Sequence, residues 1–196
     1  MNKILYNYGK KILNQEILDK RYILQYNDDN FINNIINLDD KDTKNIFQKE
    51  LYNIIDNLDI TLEYKQELKN LKYDIIIRNK TKNDKYYFNW HFDDKKLIIH
   101  NKNNKDKLHN LEFIYEDDKN IYGLYNNKND KLLYTLIFYI NSYNIDFNGG
   151  EFCFIDKIIK PVKGMILLFH SNELHKVNLL CNGKRKAIVV KFYNII

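Results

Sequence analysis

The sequence predicts an α+β fold with helices first and an antiparallel β-sandwich after them, and three observations predict it. Apolar residues recur at helical spacing up to about residue 72. From about residue 73 the chain becomes a series of short β-branched and aromatic runs with no helical stretch between them. Finally, His175 and Arg185 can line one cavity only under a restricted strand geometry, worked out below.

The helical part comes first. Ile4, Tyr8 and Ile12 form one stripe, and Phe31, Ile32, Ile35 and Ile36 form another. Phe47, Leu51, Ile54, Ile55 and Leu58 follow the i, i+4, i+7, i+8, i+11 spacing of a helix face. Asp42 or Thr43 is the expected N-cap of that helix. Residues 1–72 are therefore expected to be helical support. Strand-like runs then fall at 73–78, 85–92, 96–100, 111–115, 121–125, 132–140, 151–155, 164–169 and 185–193, each bounded by Asn, Asp, Gly or Lys clusters. Residues 94–130, polar with a few strand-like pieces, read as an insertion near the mouth of the sandwich. The whole chain, 1–196, is expected to form a single domain with a sheet core at 73–196.

Composition narrows the class. A chain of 196 residues with 44% hydrophobic and 29% charged residues suits one globular domain. The net charge of +5 is spread along the chain with Asp interleaved, without the basic stripe of a nucleic-acid binder, so nucleic acid is the less favoured partner. Cys153 and Cys181 share no CxxC motif and read as buried reduced thiols. The N-terminus is charged and interrupted, unlike a signal peptide, and no apolar run approaches the ~18 residues of a membrane span. The expectation is a soluble, cytoplasmic protein without a membrane partner, in which the Asn79 sequon carries no sugar.

Four residues carry chemistry: His91 and Asp93 in "NWHFDD", His175 in "NELHKV" and Arg185 in "NGKRKAIVV". Two imidazoles and a carboxylate make the facial triad that holds non-haem Fe(II) with positions left open. On a strand, His91 and Asp93 share a face while Phe92 points out. His170 competes with His175 as the second histidine, and His100 and His109 fall in the insertion. Arg185, ten residues after His175, can anchor a dicarboxylate co-substrate through its planar fork. The alternative is a surface arginine in the basic run "KRK". If Asn182-Gly183 made a two-residue hairpin, His175 would pair with Val190, and His175 and Arg185 would point opposite ways. Both reach one cavity if the turn holds an extra residue or if the strands belong to facing sheets, as in a jelly roll. Arg185, Ala187 and Val189 then face inward, and Ile188, Val190 and Phe192 face the helices.

Taken together, "HFD", "TLIFYIN", "NGGEF", "KGMILLFHSNELHKV" and "GKRKAIVVKFY" resemble the Fe(II)/2-oxoglutarate-dependent oxygenases of the prolyl-4-hydroxylase-like group, over residues 86–193. The resemblance implies a double-stranded β-helix, a jelly roll backed by N-terminal helices. It implies Fe(II) bound by His91, Asp93 and His175, and 2-oxoglutarate bound by Arg185 and Tyr139, with Phe152 lining the co-substrate pocket. It also implies O2, with ascorbate as a possible accessory, and a bend at Gly149-Gly150. The implied reaction hydroxylates a peptide or protein substrate, peptidyl proline first, while 2-oxoglutarate is decarboxylated to succinate. Many prolyl hydroxylases of this type carry Lys where this chain has Arg185. The short His175–Arg185 spacing, with no second arginine after it, separates the chain from the nucleic-acid-dealkylating branch. Asp93 separates it from halogenases, which free that position for halide.

Two other classes fit the same residues. A catalytically silent jelly roll that binds peptide or glycan predicts ligand binding indifferent to His91→Ala and Asp93→Ala. A cupin-like metalloenzyme that does not use 2-oxoglutarate predicts little effect of replacing Arg185.

Overall fold

The computed structural model describes residues 21–84, 88–101, 111–116, 120–126 and 132–194. The stripe at Ile4, Tyr8 and Ile12 lies outside them. The described residues open with a short strand, β1 (Tyr22–Gln25), where helix was expected. Its four residues alternate in exposure and pair antiparallel with residues 165–168, so tertiary pairing prevails over local pattern.

Three helices follow: α1 (Asp29–Ile36), α2 (Asp40–Asp56) and α3 (Leu62–Asn70). Each starts on a side-chain cap. Asp28 accepts from the Phe31 N–H at 2.9 Å, Asp39 from Asp42 at 2.7 Å, and Thr61 from Tyr64 at 3.3 Å. The cap of α2 is thus Asp39, not Asp42 or Thr43: the run of acids lets the helix begin earlier, and Asp42 donates its N–H to the cap. The predicted stripe is the buried face of α2, with Phe47, Leu51, Ile54 and Ile55 all at 0% exposure.

The strands are β2 (Lys72–Thr81), β3 (Phe88–His91), β4 (Lys95–Asn101), β5 (Leu111–Glu116), β6 (Asn120–Asn126), β7 (Leu132–Tyr139), β8 (Phe147–Gly149), β9 (Phe152–Phe154), β10 (Ile158–Ile159), β11 (Met165–His170), β12 (His175–Val177) and β13 (Leu180–Tyr193). A large antiparallel sheet has the order β1-β11-β7-β13-β2, with β8 pairing the start of β13. A smaller one has the order β10-β9-β12-β3. From β8 onward the chain passes to β9 and β10 in the small sheet, then β11, β12 and β13 in alternate sheets. This is a double-stranded β-helix, as the resemblance implied. In the expected insertion, β4, β6 and β5 form a separate three-stranded antiparallel sheet.

Strand alternation sorts side chains into two cores. On β7, β11 and β13, residues Leu136, Phe138, Ile166, Leu168, Ile188 and Val190 pack against the helices. The intervening Ile137, Tyr139, Leu167, Phe169 and Ala187 face the small sheet. Phe138 shows why the helices belong to the same core. Its ring meets Phe47 edge-on at 5.4 Å and Phe31 at 6.2 Å, and burying such a side chain contributes about 1.5–3 kcal/mol. Lys186, on the helix side of β13, is 1% exposed. Its Nζ donates to the carbonyls of Ile35 and Leu38 at 2.9 and 2.7 Å and to Thr43 Oγ1 at 2.9 Å, tying β13 to the end of α1.

Asn182-Gly183 makes no hairpin; β13 runs straight through it. Gly183, at φ 73°, sits so close to Asp146 that a Cβ would lie 2.1 Å from that carbonyl oxygen. Both cysteines are free, but Cys181 is exposed where burial was expected, because it lies where β13 departs from alternation against β8. Among the described residues no helix is long and apolar enough to cross a membrane.

Candidate active site

His91 ends β3 and His175 begins β12, and the two are direct partners in the small sheet. Directly opposed residues project from one face, and their rings stand 4.2 Å apart between centroids. A register shift beyond this pair opposes Val177 to Phe88 and lets Phe88 line the same cavity as His91. Both rings are clamped alike. Nδ1 of His91 donates to the Asn89 carbonyl at 2.7 Å, and Nδ1 of His175 donates to the Glu173 carbonyl at 2.8 Å. A carbonyl only accepts, so each Nδ1 carries a hydrogen, and Nε2 is the ring atom that faces Asp93. Phe152 stacks on His175 at 5.0 Å and 16°. Burial is the largest influence on His175 and lowers its pKa from 6.5 to about 4, against the opposing pull of Asp93. The ring is therefore neutral at pH 7, as a metal ligand must be.

Asp93 lies beyond the end of β3, with its N–H donated to the Ser171 carbonyl at 3.0 Å. Leaving the strand there breaks strict alternation. Phe92, expected to point out, is 6% exposed and borders the cavity. The Asp93 carboxylate is gripped on both oxygens: Thr135 Oγ1 donates to Oδ2 at 2.7 Å and Lys191 Nζ to Oδ1 at 3.1 Å. Burial acts most strongly on it and upward, but the charges of His175 and Lys191 and the Thr135 hydrogen bond together bring its pKa down to about 2. Its oxygens lie 3.9 Å from the Nε2 atoms of both histidines. One ligand atom from each of the three residues falls within 4.8 Å of the others.

This donor set fits Fe(II): two imidazole nitrogens, one ionised carboxylate, each held by a second partner, all facing a cavity of about 290 Å³. Arg185 lines that cavity from the large sheet at 2% exposure and donates Nη2 to the Tyr139 phenol at 3.3 Å. His175 and Arg185 thus meet across facing sheets, the second of the two geometries open to the sequence. Gly150, at φ 67°, makes room for this arginine: a Cβ there would stand 3.1 Å from Arg185 Cδ. Gly149 ends β8 and the chain bends after it into the small sheet. His170 is excluded by parity. It follows Ile166 and Leu168 on the helix side of β11, with its ring 4.5 Å from Tyr134. His100 lies on β4, and His109 falls outside the described residues.

Several contributors carried no sequence signal. Arg21 donates Nε and Nη2 to Glu173 at 3.0 and 2.6 Å and lies over the Phe154 ring at 4.3 Å. It thereby anchors the loop whose carbonyl clamps His175. Lys191 and Thr135 come to Asp93 from two strands far away in sequence. Thr135 alternates with Ile137 and Tyr139 along one strand, and the face it shares with them was the one available hint.

Comparison with known proteins agrees with this geometry. A family model described as the 2OG-Fe(II) oxygenase superfamily matches residues 76–194. A Xenopus tropicalis protein, 2-oxoglutarate and iron-dependent oxygenase domain-containing protein 3, is 35% identical over 81 residues, 38% of this chain. The chain matches just 23% of the length of that relative. A prolyl-4-hydroxylase from Pseudomonas putida superposes with a TM-score of 0.51 at 11% identity, covering 97% of this chain and 95% of that one, which shows a shared fold. A viral collagen prolyl hydroxylase from Paramecium Bursaria Chlorella virus-1 gives a TM-score of 0.45 at 14% identity, over 100% and 92% of the two chains.

Proposed function

The chain belongs to the 2OG-Fe(II) oxygenase superfamily, and from that premise we propose that it hydroxylates a peptidyl residue, proline first, while decarboxylating 2-oxoglutarate to succinate. The observation that carries this reading is the convergence of His91, Asp93 and His175 within 4.8 Å in a cavity that also receives Arg185.

Each residue has a role on this reading. His91 and His175 give Nε2 lone pairs to Fe(II), and their Nδ1–H bonds to backbone carbonyls keep the rings from turning. Asp93 gives a carboxylate oxygen and is kept ionised and oriented by Thr135 and Lys191. Arg185 receives the distal carboxylate of 2-oxoglutarate through its planar fork, and the Tyr139 phenol stands beside it. Phe152 walls the co-substrate and stacks on His175, which keeps water from that side. When bound, Fe(II) and 2-oxoglutarate supply, with O2, the oxidation that releases CO2 and succinate and inserts one oxygen atom into a substrate C–H bond. Because α1 and α2 share their core with β7, β11 and β13, helices and sheets act as a single oxygenase domain.

The test is succinate release from 2-oxoglutarate by the purified chain with Fe(II) and ascorbate, screened against peptide and nucleic-acid libraries for a one-oxygen mass gain. The proposal expects a peptide hit, with loss of turnover in Asp93→Ala. Turnover that survives Asp93→Ala, or a hit confined to nucleic acid, refutes it.

A further inference from the structure

The cavity around the triad holds more positive charge than the triad and its partners use. Arg78, Arg185 and Lys191 line it, and Asp93 is the one carboxylate among the described residues that line it. Leaving the histidines aside, these four side chains carry an excess of two positive charges. Fe(II) brings two positive charges and 2-oxoglutarate two negative ones, so loading both leaves that excess unchanged. A cleft lined by one sign of charge concentrates ligands of the other sign, and buried charge is costly without a partner.

The three cations are not equivalent. Arg185 serves the co-substrate on the reading above, and Lys191 touches Asp93. Arg78 is left over. It sits on β2 opposite Ala187, which places it on the inward face. There β2, an edge of the large sheet, comes near β3, an edge of the small one. Its guanidinium lies over the Phe88 ring at 5.5 Å. Stacking occupies the flat face of a guanidinium and leaves its in-plane N–H donors available. Among the described residues no carboxylate lies within ion-pair distance of Arg78. The arginine therefore stands at the rim of the cavity, held by an aromatic ring, with a donor fork that matches a carboxylate.

We propose that the substrate oxidised here carries a carboxylate, received by Arg78 at the cavity rim with Lys191 adding positive potential beside the metal ligands. This rests on the oxygenase reading of the site and narrows its substrate class to acidic ones. Two sources share the chemistry: a peptide with Asp or Glu beside the oxidised residue, and a free carboxylic acid.

The full chain, loaded with Mn(II) in place of Fe(II) and with 2-oxoglutarate, allows binding to be measured without turnover. Fluorescent proline peptides that differ only in a flanking Glu, Gln or Lys are the probes. The Glu peptide should bind at least about tenfold tighter than its Gln twin, the low end of what a hydrogen bond to a charged group gives. Arg78→Gln should abolish that preference, and Arg78→Lys should restore part of it. Affinity for 2-oxoglutarate should stay within about twofold in Arg78→Gln, since Arg185 and not Arg78 serves the co-substrate. Displacement of the Glu peptide by a small acid such as N-acetylglutamate supports the free-acid source, and its failure supports the peptide source. Equal binding of the Glu and Gln peptides overturns the inference. So does a preference that survives Arg78→Gln, or a loss of 2-oxoglutarate affinity in that variant. If wild-type protein binds no 2-oxoglutarate, the oxygenase reading itself fails, a result distinct from the others.

Discussion

Between pH 7 and pH 4.5 acid should destabilise the metal-free protein chiefly through His175, and the size of the effect follows from its surroundings. His175 is 4% exposed, stacked on Phe152 and clamped at Nδ1. Its folded pKa of about 4 lies well below the ordinary 6.5. Between those values the unfolded chain binds a proton that the folded chain refuses. Stability is thus fully present above about pH 6.5 and falls as pH drops toward 4. A gap of about 2.5 units corresponds to about 3 kcal/mol at 1.36 kcal/mol per unit. Urea unfolding at pH 7.0 and pH 4.5, with metal removed by chelator, measures the difference, and His175→Gln removes the titrating group. Wild type should lose about 2–3 kcal/mol across that interval and His175→Gln much less. A wild-type stability flat over this range, or an equal loss in the variant, refutes the claim that His175 is held neutral by burial.

Other perturbations have equally specific outcomes. Lys186→Met strips the donors from the end of α1 and should destabilise the fold by about 2–4 kcal/mol through its orphaned carbonyls, read from the urea midpoint. Gly150→Ala adds a Cβ 3.1 Å from Arg185 Cδ at a positive φ. It should cost about 1–2 kcal/mol of stability and weaken 2-oxoglutarate binding in calorimetry while metal affinity holds. Thr135→Val removes the 2.7 Å hydrogen bond to Asp93 and should lower metal affinity about 10–100-fold in chelator competition.

Much of this arrangement was legible in the residues. Alternation along "TLIFYI" and "RKAIVV" separates the faces that meet the helices from those that meet the small sheet. The parity conflict between His175 and Arg185 left facing sheets as one of two solutions. Other features depended on contacts that no local pattern encodes. β1 is four residues long and owes its form to β11. Asp93 lies off the strand that was expected to carry it, and its orientation comes from Ser171, Thr135 and Lys191. Lys186 sits in a basic run whose middle residue, Arg185, enters the site, so alternation sends Lys186 the opposite way, toward α1. Arg78 gains meaning only where β2 and β3 come together across a gap in the sequence.

The most direct test of the central claim is binding under anaerobic conditions. Purified protein dialysed against Fe(II) and 2-oxoglutarate should retain one of each per chain, Asp93→Ala should lose the metal, and Arg185→Gln should keep the metal while losing most of the 2-oxoglutarate. Retention of neither by the wild-type chain, or of 2-oxoglutarate undiminished in Arg185→Gln, would contradict the site described above.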